Sequence, residues 1–184
     1  MRVKTMSLPM RFPHLLLPFA LIMAALLLVN CSGPATYPVR TYPLGEKVNL
    51  GPFIYTAFET QWLTHLGDEP APRLPQHRFF LVRVSVLNSG GSEVIAPNLS
   101  IVDDSGKSYP ELENGEGVPQ WIGYIRQLKP TDSAQGNLVF DAPPRHYKLK
   151  ILDETAERTA FIDIPLSFNA EVPPVLTPPD LPKN

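Results

Sequence analysis

The chain has 184 residues, 43% of them hydrophobic and 18% charged, with 16 basic residues against 18 acidic ones and a single cysteine. That length has room for one domain and a leader. The lack of a basic excess removes the electrostatic case for binding nucleic acid. A lone cysteine rules out an intrachain disulfide, so the fold must rest on hydrophobic burial.

The first stretch carries Arg2, Lys4 and Arg11, with no acidic residue before Glu46. Residues 15–29 follow as an apolar run of secretory h-region length, short for a membrane span, and Pro18 inside it removes a helix hydrogen bond. Leu28, Val29, Asn30 and Cys31 close the run. This arrangement resembles the lipobox of bacterial lipoproteins, in which a leucine stands three residues before an acylated cysteine. Asn30 departs from the pattern, occupying a place where Gly, Ala or Ser is usual. The resemblance implies a cleaved signal peptide over residues 1–30 and lipidation of Cys31, with several acyl chains as the membrane anchor. Each buried methylene contributes about 0.8 kcal/mol, so one chain binds reversibly and two or more hold stably. Ser32, rather than aspartate, after the cysteine favours the outer membrane, facing the periplasm or the cell surface, in an organism that has one. An uncleaved signal anchor is the competing reading. Loss of residues 1–30 leaves 13 basic against 18 acidic residues, a net charge of −5.

Proline punctuates the chain at 22 positions, which argues against long helices. Pro34, Pro38 and Pro43 stiffen a spacer over residues 31–45. Between residues 46 and 168 the apolar pattern repeats every two residues. The clearest strand is 78–87, with Phe80, Val82, Val84 and Val86 on one face and Arg83 and Ser85 on the other. Before it, residues 47–50 and 54–62 supply one or two strands, and residues 67–76, with Pro70, Pro72 and Pro75, form a loop. Residues 88–91 end strand 78–87 with types that tolerate positive φ. Short strands follow at 93–96 and 98–102, then a turn over 103–107 with Gly106 at the left-handed place, then Ser108 and Tyr109. Residues 111–119 read as a polar loop, and 121–128 as either a strand or a short helix. Strands at 137–140, 148–152 and 160–164 complete the set, and a proline-rich tail over 169–184 reads as polyproline-like or disordered. Some eight short strands separated by turn signals predict an all-β sandwich.

A phenylalanine-led strand running into Asn88, Ser89 and Gly90, a turn of Asp104, Ser105, Gly106 and Lys107, then Leu128, Lys129 and Pro130, and Gly136 leading to Phe140 form a series. It resembles the immunoglobulin-like domain of unknown function found behind bacterial lipoprotein signals and related to secreted mycobacterial immunogenic proteins. The family's usual Pro-Gly is Pro130 and Thr131 here. The resemblance covers roughly residues 48–166 and implies an immunoglobulin-like antiparallel β-sandwich and an envelope location. It brings no catalytic residues.

Little in the sequence carries reaction chemistry. All four methionines lie at or before Met23, so a thioether copper site is unavailable in the mature chain. His65, His77 and His146 show no metal-ligand spacing, and no nucleophile elbow or phosphate loop is present. No cofactor and no metal are expected. Asp103 and Asp104 share one turn and Glu111, Glu113 and Glu116 one loop, a set of hard oxygen ligands that suits calcium only loosely. Trp121 and Tyr124 are the residues suited to anchor a partner, with core packing as the competing role, since aromatic side chains dominate interface energetics. The expectation is a non-enzymatic, lipid-anchored envelope lipoprotein that binds an envelope protein or stabilises an assembly. The alternative is a ligand- or calcium-binding lipoprotein using the acidic loops.

Overall fold

The computed structural model describes residues 37–68 and 70–166. The leader, Cys31 and the proline-rich tail fall outside them. Every helix or strand among the described residues is a strand: β1 (Thr41–Tyr42), β2 (Val48–Leu50), β3 (Phe53–Leu63), β4 (Phe79–Asn88), β5 (Val94–Ala96), β6 (Ser100–Asp103), β7 (Ser108–Pro110), β8 (Arg126–Leu128), β9 (Ser133–Asp141), β10 (Tyr147–Leu152) and β11 (Thr159–Ile164). A five-stranded sheet in the order β1-β11-β10-β6-β7 faces a four-stranded sheet in the order β2-β3-β4-β9, and β5 with β8 makes a separate ribbon. Pairing is antiparallel except between β1 and β11. The fold is an immunoglobulin-like β-sandwich.

Alternation along the strands builds the main core. Phe80, Val82, Val84 and Val86 of β4 are buried on one face and meet Leu149, Ile151 and Ile162 from the opposite sheet. Trp62 stacks on Phe80 at 4.1 Å between ring centroids, and Tyr147 closes on Phe80 and, edge-on, on Tyr109. The Tyr147 hydroxyl donates to the Pro143 carbonyl at 2.6 Å. A tyrosine bonded back to the chain a few residues upstream is a device of immunoglobulin-type corners.

The other face of β4 is not simply solvent. Phe79 and Leu81 are also buried, in a second cluster with Leu66, Val118 and Val139 beneath the loops that follow β3 and β7. Gly117, with φ of 75°, lies so close to Gly67 that a Cβ there would strike its backbone nitrogen. The loop read as polar therefore contributes Val118 and Glu111 to the interior.

The spacer expected to end at residue 45 ends earlier. Thr41 and Tyr42 pair with Phe161 and Ile162, Leu44 packs against the main core, and the Gly45 amide donates to the Ala57 carbonyl at 2.7 Å. Two residues carry too little periodicity to register as a strand in the sequence. The 121–128 segment is neither wholly strand nor helix: only Arg126–Leu128 is a strand, and the rest is loop.

Side chains set the turns. In the β6–β7 turn, Gly106 takes φ of 85° and donates to the Asp103 carbonyl, while Asp103 Oδ1 accepts from the Ser105 hydroxyl and amide and from the Lys107 amide. The β10–β11 turn repeats this plan with Asp153, Thr155 and Ala156, the last at φ of 58° without glycine's freedom. The turn after β4 works differently from the expectation: neither Gly90 nor Gly91 has positive φ. Buried Asn88 organises it instead, accepting from the Gly90 amide and donating to the Ser92 and Leu128 carbonyls, while Gly90 leaves room for Pro52. Lys129, Pro130, Thr131 and Asp132 form a turn closed at 3.0 Å, with Thr131 at φ of 70°. Proline then a left-handed residue is the type II pattern, in which glycine is favoured at the second place.

Two outcomes follow. Val84→Asp buries an unpaired charge in the main core and should cost several kcal/mol, whereas Ser85→Asp on the opposite, partly open face should cost about 0.5 kcal/mol; paired urea melts read the difference. Thr131→Gly relieves a left-handed β-branched residue, roughly 1–2 kcal/mol, against about 0.5–1 kcal/mol of added chain entropy in the unfolded state. It should therefore raise the urea midpoint slightly, and a clear fall would contradict the strain.

Candidate functional site

The site is built on the chain between β7 and β8. Its foundation is Arg126, whose side chain is 1% exposed, against Glu111 at 2%. The guanidinium meets both carboxylate oxygens, Nη2 to Oε1 at 2.6 Å and Nη1 to Oε2 at 2.9 Å. It also donates to the carbonyls of Gly123 and Pro97 and to Asn98 Oδ1. Glu111 Oε1 in turn accepts the Leu99 amide at 2.7 Å. Two desolvated charges persist only when geometry and additional hydrogen bonds compensate them, and here both demands are met. The pair ties both ends of the loop to the approach of β6.

From that base the loop runs along the edge of β9. The Leu112 amide donates to the Val139 carbonyl, the Asn137 amide to the Gln120 carbonyl, and the Ile122 amide to the Asn137 carbonyl, a parallel bridge centred on Trp121 and Asn137. Asn137 Nδ2 adds a bond to the Pro119 carbonyl at 2.7 Å. Gly136 makes this approach possible, since a Cβ there would strike Gln120 and Ile122. Gln120 sits at φ of 47° to accommodate the crossing.

Trp121 belongs to neither core cluster. Its ring lies flat on Gly115, where a Cβ would enter the indole, and it remains 37% exposed. Tyr124 is half-buried; burial first, then the Glu113 carboxylate, pushes its hydroxyl above the ordinary phenol range. The two expected anchors thus share the loop, Tyr124 partly buried and Trp121 the more exposed of the two. The sequence reading missed Ile125, at 77% exposure, and Ile95, at 60%. Ile95 stands across the ribbon from Gln127, and Ile125 immediately precedes the ribbon strand β8.

A cleft of about 220 Å³ opens on the outer face of the four-stranded sheet. Glu59, Thr60 and Gln61 of β3 form one side, Pro119 and Gln120 of the loop the other, and Leu81, Arg83 and Asn137 lie between.

The acidic residues do not gather. Asp103 is buried; its Ser105 hydrogen bond above all, with Lys107 and Arg145, holds its carboxyl below the usual range. Burial pushes Asp153 up, but Arg158 and Thr155 outweigh it and hold that group low as well. Among the described residues no three His, Cys, Asp or Glu side chains form a group able to hold a metal ion. The histidines are likewise separated. His65 meets Thr64, and His77 meets Asp141. His146 stands between Asp104, at 3.0 Å from Nδ1, and Asp163, at 2.9 Å from Nε2. Neutral imidazole has one N–H, so only the imidazolium donates to both. The Asp104 contact first, opposed by partial burial and helped by Asp163, raises the His146 pKa above its ordinary 6.5.

No family model and no curated protein matches the chain. Solved structures do. MPT63, a secreted protein from Mycobacterium tuberculosis, superposes with a TM-score of 0.53 at 14% identity, covering 71% of this chain and all of that one. The yjhA protein from Bacillus subtilis gives 0.52 at 13% identity, covering 67% and 98%. A functionally unknown protein from Listeria monocytogenes gives 0.52 at 10% identity, covering 66% and 82%. At such identities the likeness is one of fold.

Arg126→Met leaves the Glu111 carboxylate buried without its partner and should cost about 3–5 kcal/mol. The double variant Glu111→Leu, Arg126→Met removes both charges and should cost less than Arg126→Met alone, as measured in a double-mutant cycle of urea melts. The His146 contribution carries the opposite pH sense to a carboxylate's. Its folded pKa is raised, so its stabilisation is full below about pH 6.5 and declines as pH climbs through the folded value. Wild type should exceed His146→Gln in melting temperature at about pH 6 and converge with it at about pH 9; a gap that widens with pH contradicts the imidazolium clasp.

Proposed function

We propose that the protein is a non-enzymatic lipoprotein of the cell envelope, held at a membrane by lipid on Cys31, whose sandwich binds an envelope protein through the loop at residues 111–125. One observation carries the binding half of this reading. Trp121 and Ile125 are exposed apolar side chains on a loop fixed from beneath by a buried, fully bonded ion pair. A surface ordered in advance avoids much of the entropy cost of association, and a tryptophan is among the residues that most often dominate an interface. The basic leader, the apolar run and Cys31 support the anchor. The fold shared with MPT63, itself a secreted protein, supports a place outside the cytoplasm.

Calcium binding by the acidic loops loses its support, because Asp103 and Glu111 already accept from protein donors and face inward. A catalytic role for His146 has a similar difficulty: both ring nitrogens are engaged by carboxylates.

The anchor and the surface are tested separately in cells. Radiolabelled palmitate should enter the wild-type protein, and Cys31→Ser should abolish the label and release the protein from membranes; label that survives the substitution rejects the anchor. A photo-crosslinking residue at position 125 should capture a discrete partner, and the same residue at exposed position 154, in the β10–β11 turn, should not. Trp121→Ala should weaken capture. Equal capture from both positions rejects this surface.

A further inference from the structure

Arg83 occupies the middle of β4, an interior strand of the four-stranded sheet, and lines the outer cleft. The other arginines that are not exposed have partners: Arg126 has Glu111, Arg158 has Asp153, and Arg73 has the Asn114 carbonyl and the Phe79 ring. Arg83 is partly buried, yet among the described residues its side chain has neither an ion pair nor a hydrogen bond.

The neighbouring strand is built around it. The register of β3 on β4 shifts between Ala57 and Glu59, with Phe58 the extra residue. Without that bulge Phe58 would face Arg83, and Glu59 would face Val82 and turn into the core. With it, Glu59 pairs across from Arg83 on the outer face, while Thr60 and Trp62 keep the core register. Bulges recur next to functional sites because they re-aim side chains. On the far side, Gln120 holds its left-handed backbone where it forms the opposite wall. Both walls therefore depart from regular geometry at the same cleft, and backbone strain of that kind persists only where the surroundings enforce it.

The lining reads as a recognition set. A guanidinium offers a fork of N–H donors matched to a carboxylate. Glu59 accepts from an ammonium or an amide N–H, and the amides of Gln61 and Gln120 can serve as donors or acceptors. Leu81 gives an apolar floor. One positive and one negative side chain balance, which suits a zwitterion or a monoanion and opposes a phosphate dianion. The volume of about 220 Å³ lies below that of sites for drug-sized ligands, roughly 300–1,000 Å³. We propose that the cleft binds an α-carboxylate with its adjacent N–H, as carried by a free amino acid or by the last residue of a peptide, with Arg83 on the carboxylate and Glu59 on the nitrogen. This goes beyond the partner-binding surface and does not depend on it.

The full chain, purified in detergent, would be titrated calorimetrically with L-alanine, with N-acetyl-alanyl-alanine, and with the C-terminal amide of the latter. At least one acid should bind saturably, and the one that does identifies the source. The amide should bind more weakly by about tenfold or more, since it loses a charge-assisted fork. Arg83→Gln should lose binding by a similar factor while its circular dichroism spectrum is retained, with Arg83→Lys intermediate. Glu59→Gln should weaken L-alanine more than the acetylated dipeptide. Failure of both acids to saturate overturns the proposal, as does equal affinity for acid and amide, or unchanged binding in folded Arg83→Gln. Should Arg83→Gln fail to fold, the comparison of acid with amide on the unaltered protein decides alone.

Discussion

The buried pair of Arg126 and Glu111 is the constraint on which the loop side of this sandwich depends. Neither charge could stand alone in the interior, since an unpaired ion there costs several kcal/mol. Their joint burial is tolerable because nearly every polar atom has work: the guanidinium reaches the carboxylate and three further acceptors, and the carboxylate takes a backbone amide besides. These contacts join parts of the chain far apart in sequence, the approach to β6, the exit of β7 and the start of β8. In a low-dielectric setting such a network favours one arrangement of those segments over near alternatives, because any slip leaves a charge unsatisfied. The ordering of the 111–125 loop follows from that, not from regular secondary structure of its own.

A sandwich must also dispose of its sheet edges, whose unpaired amides and carbonyls invite pairing with other chains. Here the loop itself covers the edge of β9, through single backbone bonds at Leu112, Gln120 and Ile122 and not through a full strand. The solution has consequences for the adjoining face. It demands a glycine at position 136 and a left-handed Gln120, and it carries Pro119 and Gln120 up to the outer face as a wall. Edge protection and cleft formation are thus the same piece of chain.

The sequence made the regular part of this fold legible. Period-two alternation in β4 names the core face because Val82, Val84 and Val86 meet neighbours on the same side in both adjacent strands. The turn at residues 103–107 is equally plain, with Asp103, Ser105 and Gly106 at the places their chemistry suits. What escaped were features decided over long range. Ser133 to Gln135 have weak strand character, and pairing with β4 overrides it. Glu111 reads as one more acid in a polar loop until Arg126, fifteen residues on, is placed beside it. The β10–β11 turn hides because Ala156 stands in the backbone conformation that Gly106 announces in its counterpart. Thr131 does the same where the resembled family has glycine. In each case the left-handed backbone is held by a residue that does not announce it.

That asymmetry bears on where function can be sought in a fold shared at 10–14% identity. Alternating apolar positions are what any sandwich requires, so they cannot distinguish one member's role from another's. Departures from regularity are different, because each carries a cost that the surrounding structure must offset. Those at Ala156 and Thr131 sit in tight connections, where turn closure explains them. The bulge at Phe58 and the left-handed Gln120 are not explained by chain reversal. They flank one cleft, and between them lies a partly buried arginine without a partner. Asp103 and Glu111, which looked functional in the sequence, are spent on internal bonds, while a basic residue that looked merely surface-facing is left available on the sheet.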